Sequence, residues 1–334
     1  MRKKTTLILV CISIIISLCG CSFGKTKVVW TGGFASNQVF KMNDEVCTLG
    51  EINIIMANYR NLYLSSYGKD LWSRSASSSD YSLEAYLKDT ALNQLAKMTC
   101  MNLLAKERKV KLNATEDRQV EEASTQYYES LSKEEISELK INKDDIRNLY
   151  EKYALSTKLY SELTVGVNEE VSDDDARIMQ VMQIVVSNNS KATKISEKLG
   201  QGTDFTSLAN LYNEQQQIET FISRKDVPSS VEKVVFLMDN NQISPCIEAE
   251  KKYYFYKVIN KFDKEKTDAN KIVIVQDRAR TAFDNVYEDY SQKVKANLND
   301  ALWDDYKLQY SDEIKTKQFF QIFDKNLGDL KKSR

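Results

Sequence analysis

The sequence predicts an α+β fold that is mainly helical, with one small sheet domain set into it. Only 2 Pro and 10 Gly occur among 334 residues, too few breakers for a many-turned sandwich. Long stretches on both sides of the middle carry apolar residues at helical spacing. Between them, around Val181 to Ser187 and Tyr253 to Ile259, the pattern changes to dense β-branched and aromatic runs, which suit buried strands.

Composition narrows the function. At 42% hydrophobic and 28% charged, with 47 basic against 48 acidic side chains, the chain lacks the basic excess of a nucleic-acid binder. It contains no histidine at all, which removes the usual general base near neutral pH and the commonest metal ligand. No Gly-rich phosphate loop occurs, and Asp173 to Asp175 reads as a solvated helix start, so neither a metal nor a cofactor is expected.

Residues 1–21 have the layout of a secretory leader. Arg2, Lys3 and Lys4 precede a short apolar run from Thr5 to Leu18, and small residues follow. Leu18, Cys19, Gly20 and Cys21 resemble the bacterial lipobox, which implies lipidation at Cys21 and anchoring at the extracytoplasmic face of the cell membrane. An uncleaved signal anchor is the alternative. Residues 22–36 form a tether of polar and small residues. Cys47, Cys100 and Cys246 remain outside the leader and allow at most one disulfide; Cys47 with Cys100 is the pair within one domain, and buried thiols are the preferred reading.

Residues 37–168 predict a helical part. Val39 to Gly50 suits two short strands around an Asn-Asp turn, and a helix follows from Glu51 through Ile52, Ile55, Tyr59 and Tyr63. A serine-rich loop at 75–79 precedes a second helix through Leu83, Leu87, Ala91, Leu95, Met98 and Leu104. Further helix starts are marked by Thr115, by the capping box from Ser132 to Glu135 and by Asn142 to Asp145, and Gly166 is a natural stop. Tyr59, Tyr63, Tyr86, Tyr127, Tyr128, Tyr150, Tyr153 and Tyr160 dot this part, either as rings packed at a core boundary or as an adaptable groove for unfolded polypeptide.

Residues 169–262 predict the inserted domain. After the strand at Val181 to Ser187 come a helix from Ser190 to Leu199 closed by Gly200, and a second helix capped by Thr203 through Phe205, Leu208 and Tyr212. A strand at Glu219 to Ser223 and a helix opened by Pro228 follow, and then two hairpin-joined strands, Gln242 to Ile247 and Tyr253 to Ile259. The run from Gly200 to Tyr212, followed by Gln242 to Ile247, resembles a parvulin-type (PpiC-like, rotamase) peptidyl-prolyl isomerase module. The preceding strand pair, the Gly50-Glu51 helix start and the run from Leu92 to Glu116 resemble the N-terminal chaperone domain of PrsA and SurA foldases, and the order of parts is theirs.

The resemblance implies a SurA/PrsA-like chaperone domain with an inserted small parvulin-like βαβ domain. Gln183 and Tyr254 fall at the two histidine positions of the parvulin site, and a hydrogen bond between them is expected. Val227 and Val231 fall at its proline-pocket positions, Phe236 completes the peptide-binding set, and the usual Cys or Asp falls near Glu214 or Gln215. With every one of these positions substituted, a non-catalytic chaperone for unfolded or partly folded secreted polypeptides is expected. A weak prolyl isomerase and a structural or ligand-binding surface lipoprotein are the alternatives.

Residues 263–310 predict one long helix, from Lys271 to about Tyr310, through Ala279, Phe283, Val286, Tyr290, Val294, Leu298, Leu302 and Tyr306. By the same resemblance it packs on the N-terminal part; a coiled-coil homodimer through the same stripe is the competing arrangement. Residues 311–334, with Lys325, Lys331, Lys332 and Arg334, read as a frayed or membrane-near basic tail.

Overall fold

A computed structural model describes residues 33–68, 82–308 and 310–331. The leader with Cys21, most of the tether, the 75–79 loop and the terminal Lys332 and Arg334 lie outside the described residues. The chain divides into two compact units, one of Met1–Val165 with Ala282–Arg334, the other of Gly166–Thr281.

The first unit opens with strands β1 (Gln38–Met42) and β2 (Glu45–Thr48), an antiparallel hairpin turning at Asn43, which takes φ +51, a left-handed conformation that Asn tolerates. Helix α1 (Leu49–Tyr67) starts at once because Thr48 and Glu51 form a reciprocal capping box. The second oxygen of Glu51 accepts from the Lys152 ammonium at 2.7 Å, and Lys152 also donates to the Val46 carbonyl at 2.8 Å. One buried carboxylate thus ties the hairpin and the helix start to a distant helix.

Helices α2 (Leu83–Glu107), α3 (Ala114–Glu129), α4 (Lys133–Leu139) and α5 (Lys143–Thr164) follow, the last two opened by the expected Ser132 and Asn142 boxes. The third starts before the expected Thr115, because the Asn113 side chain accepts from both the Thr115 and Glu116 amides at 2.9 Å. Cys47 and Cys100 are buried thiols with no disulfide between them.

The C-terminal expectations need correction. The long helix, α10 (Lys264–Ser291), ends well before Tyr310, and β7 (Ala296–Leu298) follows, pairing antiparallel with β1. The stripe through Val294 and Leu298 also fits a period of two once Ala296 is counted, and the free edge of β1 offers backbone partners that a longer helix would leave unmet. After α11 (Asp300–Asp305), residues 311–331 are no frayed tail. Helix α12 (Phe319–Leu327) buries Phe319, Phe320, Phe323 and Leu327 in the core of the first unit.

That core is aromatic. Phe319 stacks on Tyr150 at 4.2 Å between centroids and meets Tyr127 edge-on at 5.4 Å, while Phe323 packs edge-on to Tyr153 at 4.3 Å. Polar partners hold the same segment. The Phe319 amide donates to Asn58 Oδ1, the Tyr150 hydroxyl donates to the Phe319 carbonyl, and Glu135, itself buried, accepts from the Lys315 and Thr316 amides. Tyr127, Tyr150 and Tyr153 are therefore covered by the chain's own C-terminal segment.

The second unit contains α6 (Asp173–Ala176), β3 (Met179–Val186), α7 (Asn189–Gly200), α8 (Phe205–Tyr212), β4 (Glu219–Ile222), a 3-10 turn at Arg224–Asp226, α9 (Ser229–Val235), β5 (Ile247–Ala249) and β6 (Lys252–Asn260). The strands lie in the order β4-β3-β6-β5, all antiparallel. Asp204, not Thr203, caps α8, and the left-handed glycine that follows α7 is Gly202, at φ +82. The strand expected from Gln242 to Ile247 begins only at Ile247, with one bridge at Ile243. Pro245 has no N–H to give, and the Ser244 hydroxyl accepts from the Tyr256 amide in place of a backbone carbonyl.

Two outcomes follow from the aromatic core. Phe319→Ala is expected to lower stability by about 3–5 kcal/mol in urea unfolding, the usual cost of an emptied aromatic site; a loss below about 1 kcal/mol would show that the C-terminal helix is dispensable. Burial pushes the Tyr127 hydroxyl up to about 12, against about 10 in an unfolded chain. The folded state therefore holds this proton more tightly, so the contribution is full below pH 10 and is lost as pH rises through 12. Tyrosinate absorbance and circular dichroism followed together should show a late-titrating ring that ionises only as the helices melt.

Candidate functional site

Alternation along a strand sends neighbouring residues to opposite faces. On β3, Met179, Val181 and Val185 join Tyr254, Tyr256 and Val258 of β6 beneath α9, whereas Ile184, Val186 and Phe255 pack against α7 and α8. Gln183 belongs by register to the α9 face. It lies opposite Tyr256, and Tyr254 lies opposite Val185, so Gln183 and Tyr254 share a face as diagonal neighbours.

The hydrogen bond expected between them is not formed. The Gln183 side-chain Nε2 donates instead to the Gln217 carbonyl at 2.9 Å. Tyr254 stacks on Tyr256 at 6.4 Å with the rings 6° from parallel. Neither phenol hydroxyl bonds to another described residue, although Tyr256 is only 2% exposed. Burial raises both hydroxyls above the ordinary tyrosine range, helped for Tyr254 by nearby Glu250 and for Tyr256 by Tyr254, so both remain protonated donors at neutral pH.

Beside them, the Asn213 to Ile218 segment extends the edge of β3 by mixed pairing. The Glu214 amide donates to the Val185 carbonyl, the Val185 amide to Asn213 Oδ1, and the Gln183 amide to the Ile218 carbonyl. The Glu214 carboxylate accepts from Lys191 at 2.7 Å and from the amide and hydroxyl of Ser187 at 2.9 Å. Those bonds, Lys191 first, hold it below the usual carboxylate range, so it is a committed acceptor rather than a proton donor.

On the helical side, Val231 is fully enclosed and Phe236 is 2% exposed, whereas Val227 is half-buried. Val231 and Phe236 pack into the apolar core beneath α9, and Val227 is the most accessible of the three. The Phe236 ring sits between the Arg177 and Arg224 guanidiniums at 5.3 and 4.7 Å. Asp174 pairs with both arginines, at 2.9 and 2.6 Å, and Glu232 with Arg224 at 2.9 Å, leaving this side of the domain electrically matched.

Tyr256 is the residue that sequence reasoning passed over. Its signal was available, since the strand that carries Tyr254 places Tyr256 two residues on, on the same face. Two phenol donors and one amide make a neutral, hydrogen-bonding surface. It contains no general base at neutral pH, and rotation about an X-Pro bond formally needs none.

Residues 168–272 match the PPIC-type PPIASE domain family. The inserted domain is parvulin-like. The chain is also similar to the foldase protein PrsA of Caldanaerobacter subterraneus subsp. tengcongensis, at 26% identity over 226 residues, which span 64% of this chain and 66% of that protein, just under two thirds of its length. Among solved structures, PrsA from Bacillus cereus is 16% identical with a TM-score of 0.37, covering 90% of this chain and all of its own. PrsA from Streptococcus pneumoniae is 17% identical with a TM-score of 0.30, covering 86% of this chain and 99% of its own.

Proposed function

We propose that this chain is a membrane-anchored, extracytoplasmic foldase that binds unfolded or partly folded secreted polypeptides, and that its parvulin-like domain holds peptide without imidazole chemistry. The observation that carries the reading is a PPIC-type domain retained in a chain with no histidine at all. Gln183 and Tyr254, at the histidine positions, supply hydrogen-bonding groups and no proton shuttle. A weak isomerase is the second reading, favoured by the unpartnered phenol donors beside a desolvated face, since hydrogen bonding and burial of an X-Pro amide act on a rotation barrier of ~18–20 kcal/mol.

Two assays on the full chain separate these readings. An equimolar to several-fold excess should suppress aggregation of a denatured secreted enzyme as it is diluted from denaturant; no suppression at that excess would remove the chaperone reading. In a proline-limited refolding assay, the first reading expects no acceleration above the spontaneous rate, and the parent, Gln183→Ala and Tyr254→Ala should behave alike. A rate increase that Tyr254→Ala abolishes would decide for the isomerase.

Anchoring is proposed through Cys21. Among the described residues no helix is long and apolar enough to cross a membrane, so the described part supplies no α-helical span. Radiolabelled palmitate should enter the parent and not Cys21→Ala, and label persisting in the variant would place the anchor elsewhere.

A further inference from the structure

We propose that the Tyr256 hydroxyl is the specificity-determining contact of the parvulin-like domain, donating to a backbone carbonyl of a neutral, extended X-Pro segment, with the Tyr254 hydroxyl donating beside it. This inference rests on the peptide-binding reading above and names the group that does the binding.

A buried ring whose hydroxyl reaches the surface without a protein partner is the first argument. A tyrosine that is 2% exposed normally spends its hydroxyl on a protein group, as Tyr127 and Tyr150 do in the first unit. Tyr256 does not: its hydroxyl bonds to no described residue and is not enclosed, while its ring stacks on Tyr254. Its own backbone is also fixed, since the Tyr256 amide donates to Ser244 Oγ and its carbonyl accepts from the Ser244 amide. A rigid donor with no internal acceptor is pre-organised for an external one.

Charge chooses the acceptor. Arg177 and Arg224 are already paired with Asp174 and Glu232, and Lys191 with Glu214. Glu250 adds negative potential near Tyr254. A neutral amide carbonyl accepts from a phenol hydroxyl without needing a cation beside it. The carbonyl before proline suits two donors spaced along one strand face, because the tertiary amide has no N–H that would need an acceptor in return.

The test uses the full chain and a blocked, uncharged alanine-rich hexapeptide with one central Phe-Pro, with binding read by nuclear magnetic resonance titration. Tyr256→Phe keeps the ring and removes only the oxygen. The expected result is roughly tenfold weaker binding of this peptide, the size of one lost hydrogen bond, with an unchanged or higher melting temperature because no internal bond is broken. Tyr254→Phe should weaken it less. Replacing the Phe-Pro carbonyl by a thiocarbonyl, a poorer acceptor, should weaken binding to the parent and have little effect on Tyr256→Phe.

Unchanged affinity in Tyr256→Phe, with the parent binding, overturns the assignment while leaving the foldase reading intact. A lowered melting temperature overturns it too, since it would mean the hydroxyl serves the fold. Should the parent suppress client aggregation yet bind no X-Pro peptide, this contact is wrong and client binding lies elsewhere; failure of both would remove the foldase reading with it.

Discussion

The stack of Phe319 on Tyr150 is the contact on which the first unit depends. The helices before Val165 present Tyr127, Tyr150 and Tyr153 as an apolar face, and the residues that cover it come from the far end of the chain. The closure is polar as well as apolar. Asn58, Glu135 and Tyr127 each bond to residues between Lys315 and Phe319, so the C-terminal segment fills backbone and side-chain valences that the N-terminal helices leave open. Contacts of such long sequence separation carry a large ordering cost and slow a fold's formation. The whole parvulin-like domain lies within the loop that they close.

Within that domain, the sheet separates scaffold from surface. The face under α7 and α8 is an ordinary apolar core, and the α9 face mixes valines with the Tyr254 and Tyr256 pair. Glu214, Ser187 and Lys191 fix the neighbouring segment, and Asp174 gathers two arginines around Phe236. These pairs engage Glu214, Arg177 and Arg224 within the domain itself. On the peptide-binding reading proposed above, such a site would hold a polypeptide through its backbone.

Local features were legible in the sequence; features with distant partners were not. The boxes at Ser132 and Asn142 could be read because donor and acceptor sit three residues apart. The start at Asn113 was missed by a residue or two, since a neighbouring Thr has the same competence. The end of α10 at Ser291 was invisible because the strand after it pairs with Phe40 and Met42, some 250 residues away. Residues 311–331 were judged by their lysines, although Phe319, Phe320, Phe323 and Leu327 already lay at helical spacing. In the site, Gln183 and Tyr254 were expected to bond to each other, but the partner of Gln183 depended on a loop whose path no periodicity reveals.

The position of α12 has a consequence for how the molecule is made. A ribosome releases Tyr127 and Tyr150 well before it reaches Phe319, and the whole inserted domain has to emerge in between. For that interval the nascent chain displays an uncovered aromatic face of the kind that aggregates. Newly made, the first unit stays open until residues 315–327 arrive to seal it.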